Sequence, residues 1–301
     1  MKTDKINVFI NFKFNVMKKQ IFIILILFFS IGNAYSQYIV PFYVSMEKYN
    51  VVDSAYLKCT YRFTNVRDTL KIEKSRHMDI QTLLIGNKIS KYFSQYMVDY
   101  CRYTDNLLKK KVDSYPTNKE NGTCGFEVYK NYPDKKITVT DLATKIGGTY
   151  KYEEEIPNQK WEITTDTLTI LSYLCQKAIT TFRGRTFEAW FTADIPINNG
   201  PYKFGGLPGL ILKVSDNKQY FVFECIGIEK LRKMEPIKFY NLKYTQITRL
   251  NLEKLYKRYH EDSAAFVLSN FNMKTVLVYP DGKPKEVKHL PKEPYNPIEL
   301  E

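Results

Sequence analysis

The feature that most narrows the fold is near-alternating apolar text, broken by tight-turn signals, between residues 147 and 230. Strand side chains alternate between faces, so this pattern reads as antiparallel hairpins with one covered face. Gly184-Arg185 suits a two-residue type II′ turn with glycine first. Phe182 then opposes Phe187, Thr180 opposes Ala189 and Ala178 opposes Phe191 on an apolar face. The reverse face pairs Thr181 with Glu188, Ile179 with Trp190, Lys177 with Thr192 and Cys175 with Asp194. A second hairpin turns at Asp216-Asn217-Lys218, setting Val214, Leu212 and Leu210 against Phe221, Phe223 and Cys225.

Between the hairpins lies Gly200-Pro201-Tyr202-Lys203-Phe204-Gly205-Gly206-Leu207-Pro208-Gly209-Leu210-Ile211. Leu207-Pro208-Gly209-Leu210 suits a type II turn, in which proline fixes φ and glycine accepts positive φ at the next position. Gly205 and Gly206 permit backbone conformations or contacts that a Cβ would block. A phosphate-cradling loop does not fit, because a strand follows instead of a helix and no Gly-Lys-Ser/Thr closes the segment.

Elsewhere the text is mixed. Ala55 to Phe63 is rich in β-formers, and Lys71 to Ile89 holds short strand candidates ending at Gly86-Asn87. From Lys91, Phe93, Tyr96, Met97, Tyr100, Tyr103 and Leu107 recur at helical steps, predicting a helix to about Lys111. Val112 to Pro133 reads as a long loop, or as an insertion carrying a short strand from Gly125 to Tyr129. A second helix is expected from an N-cap at Asn251, with Leu252, Leu255, Tyr256 and Tyr259 on its apolar stripe. Thr275 to Tyr279 is a strand candidate, and Pro291, Pro294 and Pro297 keep the end extended. The fold expected is α+β: a mainly antiparallel curved β-sheet with two flanking helices, in one domain over residues 37–301.

Residues 1–36 read as an N-terminal extension and a cleaved secretory signal. Lys18 and Lys19 precede an apolar run from Ile21 to Ile31, and Ala34-Tyr35-Ser36 places small residues before a cut after Ser36. The run is too short to span a membrane, which needs about 20 residues. Met17 is a second candidate start beside Met1. The expected location is periplasmic, outer-membrane-associated or extracellular. The net charge of +13 is dispersed, without the basic face that nucleic-acid binding requires, so no nucleic-acid partner is expected.

Cys59, Cys101, Cys124, Cys175 and Cys225 are scattered, as are His77, His260 and His289, so no metal-ligand spacing exists and neither metal nor cofactor is expected. The cysteines read either as one or two disulfides, with Cys175–Cys225 a candidate pair, or as small buried apolar residues. Catalytic residues are not evident. Cys175 is the candidate nucleophile of an alternative reading as an enzyme, since Lys177 shares its face and a cation lowers a thiol pKa. No histidine is placed to serve as its base.

Gly206 to Ile211 spells GLPGLI, and the chain resembles the bacterial GLPGLI family. Tyr173-Leu174-Cys175-Gln176-Lys177-Ala178, Ala189-Trp190-Phe191-Thr192 and Asn296-Pro297-Ile298-Glu299 carry the likeness further. The resemblance implies an exported envelope protein of Gram-negative bacteria, often encoded near outer-membrane receptor genes, with no assigned activity. The expected function is a non-enzymatic envelope protein that binds an apolar or extended ligand, such as a lipid or peptide, or assists an outer-membrane receptor or transporter. Trp190, with Ile179 opposite, is the candidate binding anchor.

Overall fold

In a computed structural model of the chain, residues 44–110, 125–142, 145–278 and 284–301 are described. The signal segment and Cys124 lie outside them. The elements are β1 (Tyr49–Val66), β2 (Arg76–Gly86), β3 (Ser90–Ser94), α1 (Gln95–Lys109), β4 (Phe126–Lys130), β5 (Lys136–Asp141) and β6 (Tyr150–Glu155). There follow β7 (Glu162–Ile170), β8 (Tyr173–Phe182), β9 (Arg185–Thr192), β10 (Leu210–Asp216), β11 (Phe221–Tyr240) and β12 (Thr245–Gln246). The chain closes with α2 (Arg249–Glu261), α3 (Ser263–Phe271), β13 (Thr275–Val278) and β14 (Pro284–Val287).

Twelve strands form one sheet in the order β12-β6-β5-β4-β3-β2-β1-β11-β10-β9-β8-β7, while β13 and β14 pair separately. Among the described strands only the β12–β6 pairing is parallel, with one isolated parallel bridge between Asn199 and Leu210, so the fold is α+β on a mainly antiparallel sheet. The sheet curls until its ends meet. Arg183, between β8 and β9, reaches Glu154 on β6 at 3.2 Å, although eight strands separate β6 from β8 in the sheet order. Long paired strands with register shifts, such as those between β1 and β11, supply the local bends that such curvature needs.

The first hairpin turns one residue earlier than its sequence suggested. Arg183 and Gly184 both have positive φ, 49° and 75°, the signature of a type I′ turn. Phe182 therefore opposes Arg185, Thr180 opposes Phe187 and Ala178 opposes Ala189. The slide is two residues, so each side chain keeps its face while its partner changes. Trp190 faces Lys177, and Ile179 faces Glu188. In the second hairpin Val214 likewise opposes Phe223 and not Phe221, because Asp216 Oδ1 accepts the Phe221 N–H at 2.7 Å and lengthens the turn.

The helices also shift. Lys91 to Ser94 belong to β3, which pairs with both β2 and β4 and is buried throughout. Ser94 Oγ then accepts the Met97 N–H at 3.2 Å, and α1 begins. Its core residues are Met97, Val98 and Cys101, while Tyr103 is 52% exposed. At the other end Thr248, not Asn251, caps α2 by accepting the Asn251 N–H. Asp262 then adopts extended backbone and caps α3 through the Ala265 N–H. One expected helix thus becomes two, and three α-helices flank the sheet.

Cys59, Cys101, Cys175 and Cys225 are all free and buried, so the Cys175–Cys225 disulfide is not formed. Their scattered positions in strands and a helix leave each thiol as a small apolar side chain in the core.

Candidate functional site

The loop between β9 and β10 turns inward. Tyr202, Lys203, Phe204 and Leu207 are buried, and Phe204 packs edge-on against Phe187 and Phe223, with ring centroids 4.8 and 6.0 Å away. Three neighbours fix its course. Trp161 Nε1 donates to the Gly205 carbonyl at 2.7 Å, Gln159 Oε1 accepts the Gly205 N–H, and Asn198 Oδ1 accepts the Gly206 N–H. Lys130 Nζ donates to Asn199 Oδ1, the Gly200 carbonyl and the Phe204 carbonyl at 2.9, 2.7 and 2.5 Å. Burial pushes the Lys130 pKa down to about 7.

The glycines of this loop work differently from the expected type II turn. Gly206 carries the positive φ, +86°. Gly209 does not; a Cβ there would stand 2.0 Å from the Thr192 carbonyl oxygen. Its missing side chain therefore permits β10 to start against the end of β9. Leu210 and Ile211 are fully buried in β10. The Gly205–Ile211 segment is a packing device.

Behind Phe204 lies a buried ion cluster. Lys203 Nζ sits 2.6 Å from Glu154 Oε1 and 2.6 Å from Glu299 Oε1, and donates to the Tyr152 hydroxyl at 3.0 Å. Arg183 reaches Glu154 at 3.2 Å and Glu299 at 3.5 Å, and Arg249 reaches them at 3.8 and 3.4 Å. The Tyr202 hydroxyl donates to Glu299 Oε1. Burial opposes charge on Lys203, but Tyr152 and the two carboxylates hold its pKa above the ordinary lysine range. Burial would likewise raise the Glu299 carboxyl, yet Lys203, Tyr202 and Arg249 keep it below its usual value. No sequence pattern announced this cluster, because its members come from β6, two loops, α2 and the extended tail.

An open cleft of about 160 Å³ lies on the other side, between α1 and the neighbouring ends of β1 and β11. Val98, Arg102, Asp105, Asn106 and Lys109 line it from one face of α1, the face that three- and four-residue steps bring together. Met46 and Val98 add apolar surface, and Lys238 and Tyr240 close the far wall. Asp105 is buried and its Oδ2 accepts the Met46 N–H at 3.2 Å. Two of the wall cations are ion-paired, Lys109 with Glu47 at 2.5 Å and Arg102 with Asp99 at 3.1 Å, whereas Lys238 Nζ lies 4.2 Å from the Tyr49 ring centroid. The cleft offers converging donors and acceptors over a partly apolar floor. Reading α1 by its aromatic stripe hid this face; the polar steps Arg102, Asp105 and Lys109 were the signal available.

No group of three or more His, Cys, Asp or Glu side chains among the described residues is placed to hold a metal ion. Trp190 is half-buried and packs against the main core cluster, with Lys177 Nζ 5.9 Å from its ring centroid. Lys177 in turn pairs with Glu188 at 3.2 Å and Asp166 at 3.7 Å.

Residues 110–274 match the family model described as the N-glycanase peptide N-terminal domain. That span exceeds half of the chain. The chain belongs to this family. Two crystal forms of PNGF-II are similar solved structures, at 19% identity with a TM-score of 0.43 and 17% identity with a TM-score of 0.44. Each alignment covers 68% of this chain and 33% of that one, so the chain spans about a third of PNGF-II. No curated protein matches the chain.

Membership in the N-glycanase N-terminal domain family corrects the resemblance to the GLPGLI family, since the GLPGLI hexapeptide itself lies inside the matched span. The hexapeptide answers local packing demands, the approach of Gly209 to Thr192 and the burial of Leu207, Leu210 and Ile211, which do not specify a family. The expected apolar-ligand or receptor-accessory protein of the envelope is likewise overturned by this match to a domain of a glycan-processing enzyme family. Physically, the inner face that would hold an apolar guest is filled by Phe204, Leu207 and their aromatic neighbours. Cys175 is not the alternative's activated nucleophile: it is fully buried, and burial pushes its thiol up to about 11. Lys177, expected to activate it, is engaged by the two carboxylates named above.

Proposed function

We propose that this chain acts as the N-terminal module of an N-glycanase-type enzyme and that its α1–β11 cleft engages the sugar of an N-glycosylated substrate. The observation that carries the first part of this reading is the family match over residues 110–274; the cleft stands on its own geometry, since only Lys238 and Tyr240 of its lining fall inside that span. The cleft supports it chemically. A sugar ring presents hydroxyls that both donate and accept, and Arg102, Asp105 and Asn106 supply both complements at one helix face. Carboxylates already hold Arg102 and Lys109, and a neutral ligand leaves those pairs intact. Met46 and Val98 suit the apolar face of such a ring. Export through residues 1–36 belongs to the same reading, supported by their lysine–apolar–small-residue order.

Titration calorimetry with an Asn-linked chitobiose glycopeptide and its unglycosylated counterpart tests the proposal. Saturable binding of the glycosylated form alone is expected, lost in Asn106→Ala and Arg102→Ala, whose exposed positions spare the fold. Equal binding of both peptides, or none, overturns it.

A further inference from the structure

The ion cluster around Lys203 is divided by the family match. Glu154, Arg183, Tyr202, Lys203 and Arg249 lie within residues 110–274, whereas Glu299 arrives from outside. Without Glu299, three cations would face Glu154 at ion-pair distance, with Glu253 as the other carboxylate felt by Lys203 and Arg249, in a site where Lys203 is completely buried. A buried excess of positive charge is costly until an anion enters. Four groups from three separate elements converge on the Glu299 carboxylate: the Tyr202 hydroxyl and Lys203 from the β9–β10 loop, and, as ion pairs, Arg183 from the β8–β9 turn and Arg249 from the start of α2.

The segment delivering Glu299 belongs to no strand or helix. It is pinned as a guest peptide would be. Arg185 Nη2 donates to the Pro297 carbonyl at 2.7 Å and to Asn296 Oδ1 at 2.6 Å. Asn296 Nδ2 donates to the Val66 carbonyl at 2.7 Å, and the Leu300 N–H to the Arg183 carbonyl at 2.9 Å. Arg183 thus holds the strap twice, through its side chain and its carbonyl.

We propose that Tyr202, Lys203, Arg183 and Arg249 form a carboxylate-binding site, that residues 288–301 occupy it through Glu299 as a strap, and that a small soluble carboxylate takes the site when the Glu299 side chain is removed. The shape of the donor set argues for a carboxylate. Lys203 and Tyr202 both engage Oε1, while both guanidinium groups stand at ion-pair distance from Oε2, 3.5 and 3.4 Å, without a hydrogen bond to it, so the two oxygens meet different partners. A spherical halide offers no such second oxygen.

The test is thermal unfolding of the full chain and its E299A variant in acetate, propionate and chloride at one ionic strength. E299A is expected to melt roughly 10 °C lower in chloride, and acetate or propionate at about 100 mM is expected to restore at least half of that loss. Absence of recovery, or an equal rise of the parent chain in acetate or propionate, overturns the proposal. E299Q with hydrogen exchange provides the second readout should E299A fail to fold. Loss of the carboxylate is expected to speed exchange of the Leu300 amide at least tenfold, with strand amides of β10 unchanged. An unchanged Leu300 rate would overturn the latch.

Discussion

Replacing Gly209 with alanine asks what the central glycine of the loop is for. An added Cβ would stand 2.0 Å from the Thr192 carbonyl oxygen and 2.7 Å from its carbon. Both are backbone atoms, so no side-chain rotation relieves the contact. Reaching an ordinary separation requires β9 and the start of β10 to part by about 1 Å, an overpacking cost of about 1–3 kcal/mol. The movement works against the Leu210 N–H bond to Ile195 and the Ile211 N–H bond to Asn199, at 3.0 and 2.9 Å. Weakening these adds about 1 kcal/mol each. Gly209→Ala should therefore destabilise by about 3–5 kcal/mol, lowering the melting temperature by roughly 10 °C. Gly205→Ala is the control. Its nearest neighbour is Asn198 Oδ1 at 3.4 Å and its φ is not positive, so a change within about 0.5 kcal/mol is expected. Gly206→Ala, at φ +86°, should fall between them at about 1–2 kcal/mol. Urea unfolding with a shared m-value ranks the three. Gly209→Ala lying within 1 kcal/mol of Gly205→Ala would refute the close-approach argument.

The ion cluster and the buried carboxyl of Asp141 yield further expectations. Tyr202→Phe removes a charge-assisted hydrogen bond to buried Glu299 and should cost about 2 kcal/mol in urea unfolding. Burial raises the Asp141 carboxyl to about 6, partly offset by the Tyr256 hydroxyl. Between the unfolded value of about 4 and this folded value, the native state holds a proton that the unfolded chain has released. Its contribution is present below pH 4 and is lost as pH rises through 6. Asp141→Asn should flatten stability between those limits, as parallel urea melts at pH 4 and pH 7 would record. Iodoacetamide should label none of Cys59, Cys101, Cys175 and Cys225 in the native protein, and all four after denaturation, by peptide mass spectrometry.

The faces of this sheet were legible in its sequence, whereas its partners were not. Alternation assigns Phe187, Ala189 and Phe191 to one side of β9 whichever turn is chosen. The opposing residue depends on which pair forms the turn, and Arg183-Gly184 competes directly with Gly184-Arg185. Only the conformation of Arg183, with φ of 49°, decides it. That is an unusual state for a non-glycine residue, so sequence preference favours the wrong turn. Lys91 to Ser94 mislead for a related reason. Their aromatics continue the spacing of α1, but tertiary pairing with β2 and β4 overrides the local period.

The functional surfaces are harder still, because each joins residues that are distant in the chain. Trp190 stood out by its chemistry; its cross-strand partner is Lys177, and it packs partly against the main core cluster. Glu154 stood out for nothing, being one of three adjacent glutamates. In β6 the alternation separates them, and the curl of the sheet carries Glu154 to Arg183 while Glu153 pairs locally with Lys151 at 3.1 Å. Curvature thus selects which carboxylate becomes part of the cluster. The same curl places Lys203 between β6 and the tail, so the loop containing Gly209 is held on both sides: by backbone proximity at Thr192 and by charge at Glu154 and Glu299. A change that opens the sheet should therefore weaken the strap and the loop together, whereas Gly209→Ala strains the loop and leaves the ion pairs their partners. Hydrogen exchange separates the two: the Leu300 amide should stay protected in Gly209→Ala and lose protection with Glu299→Gln.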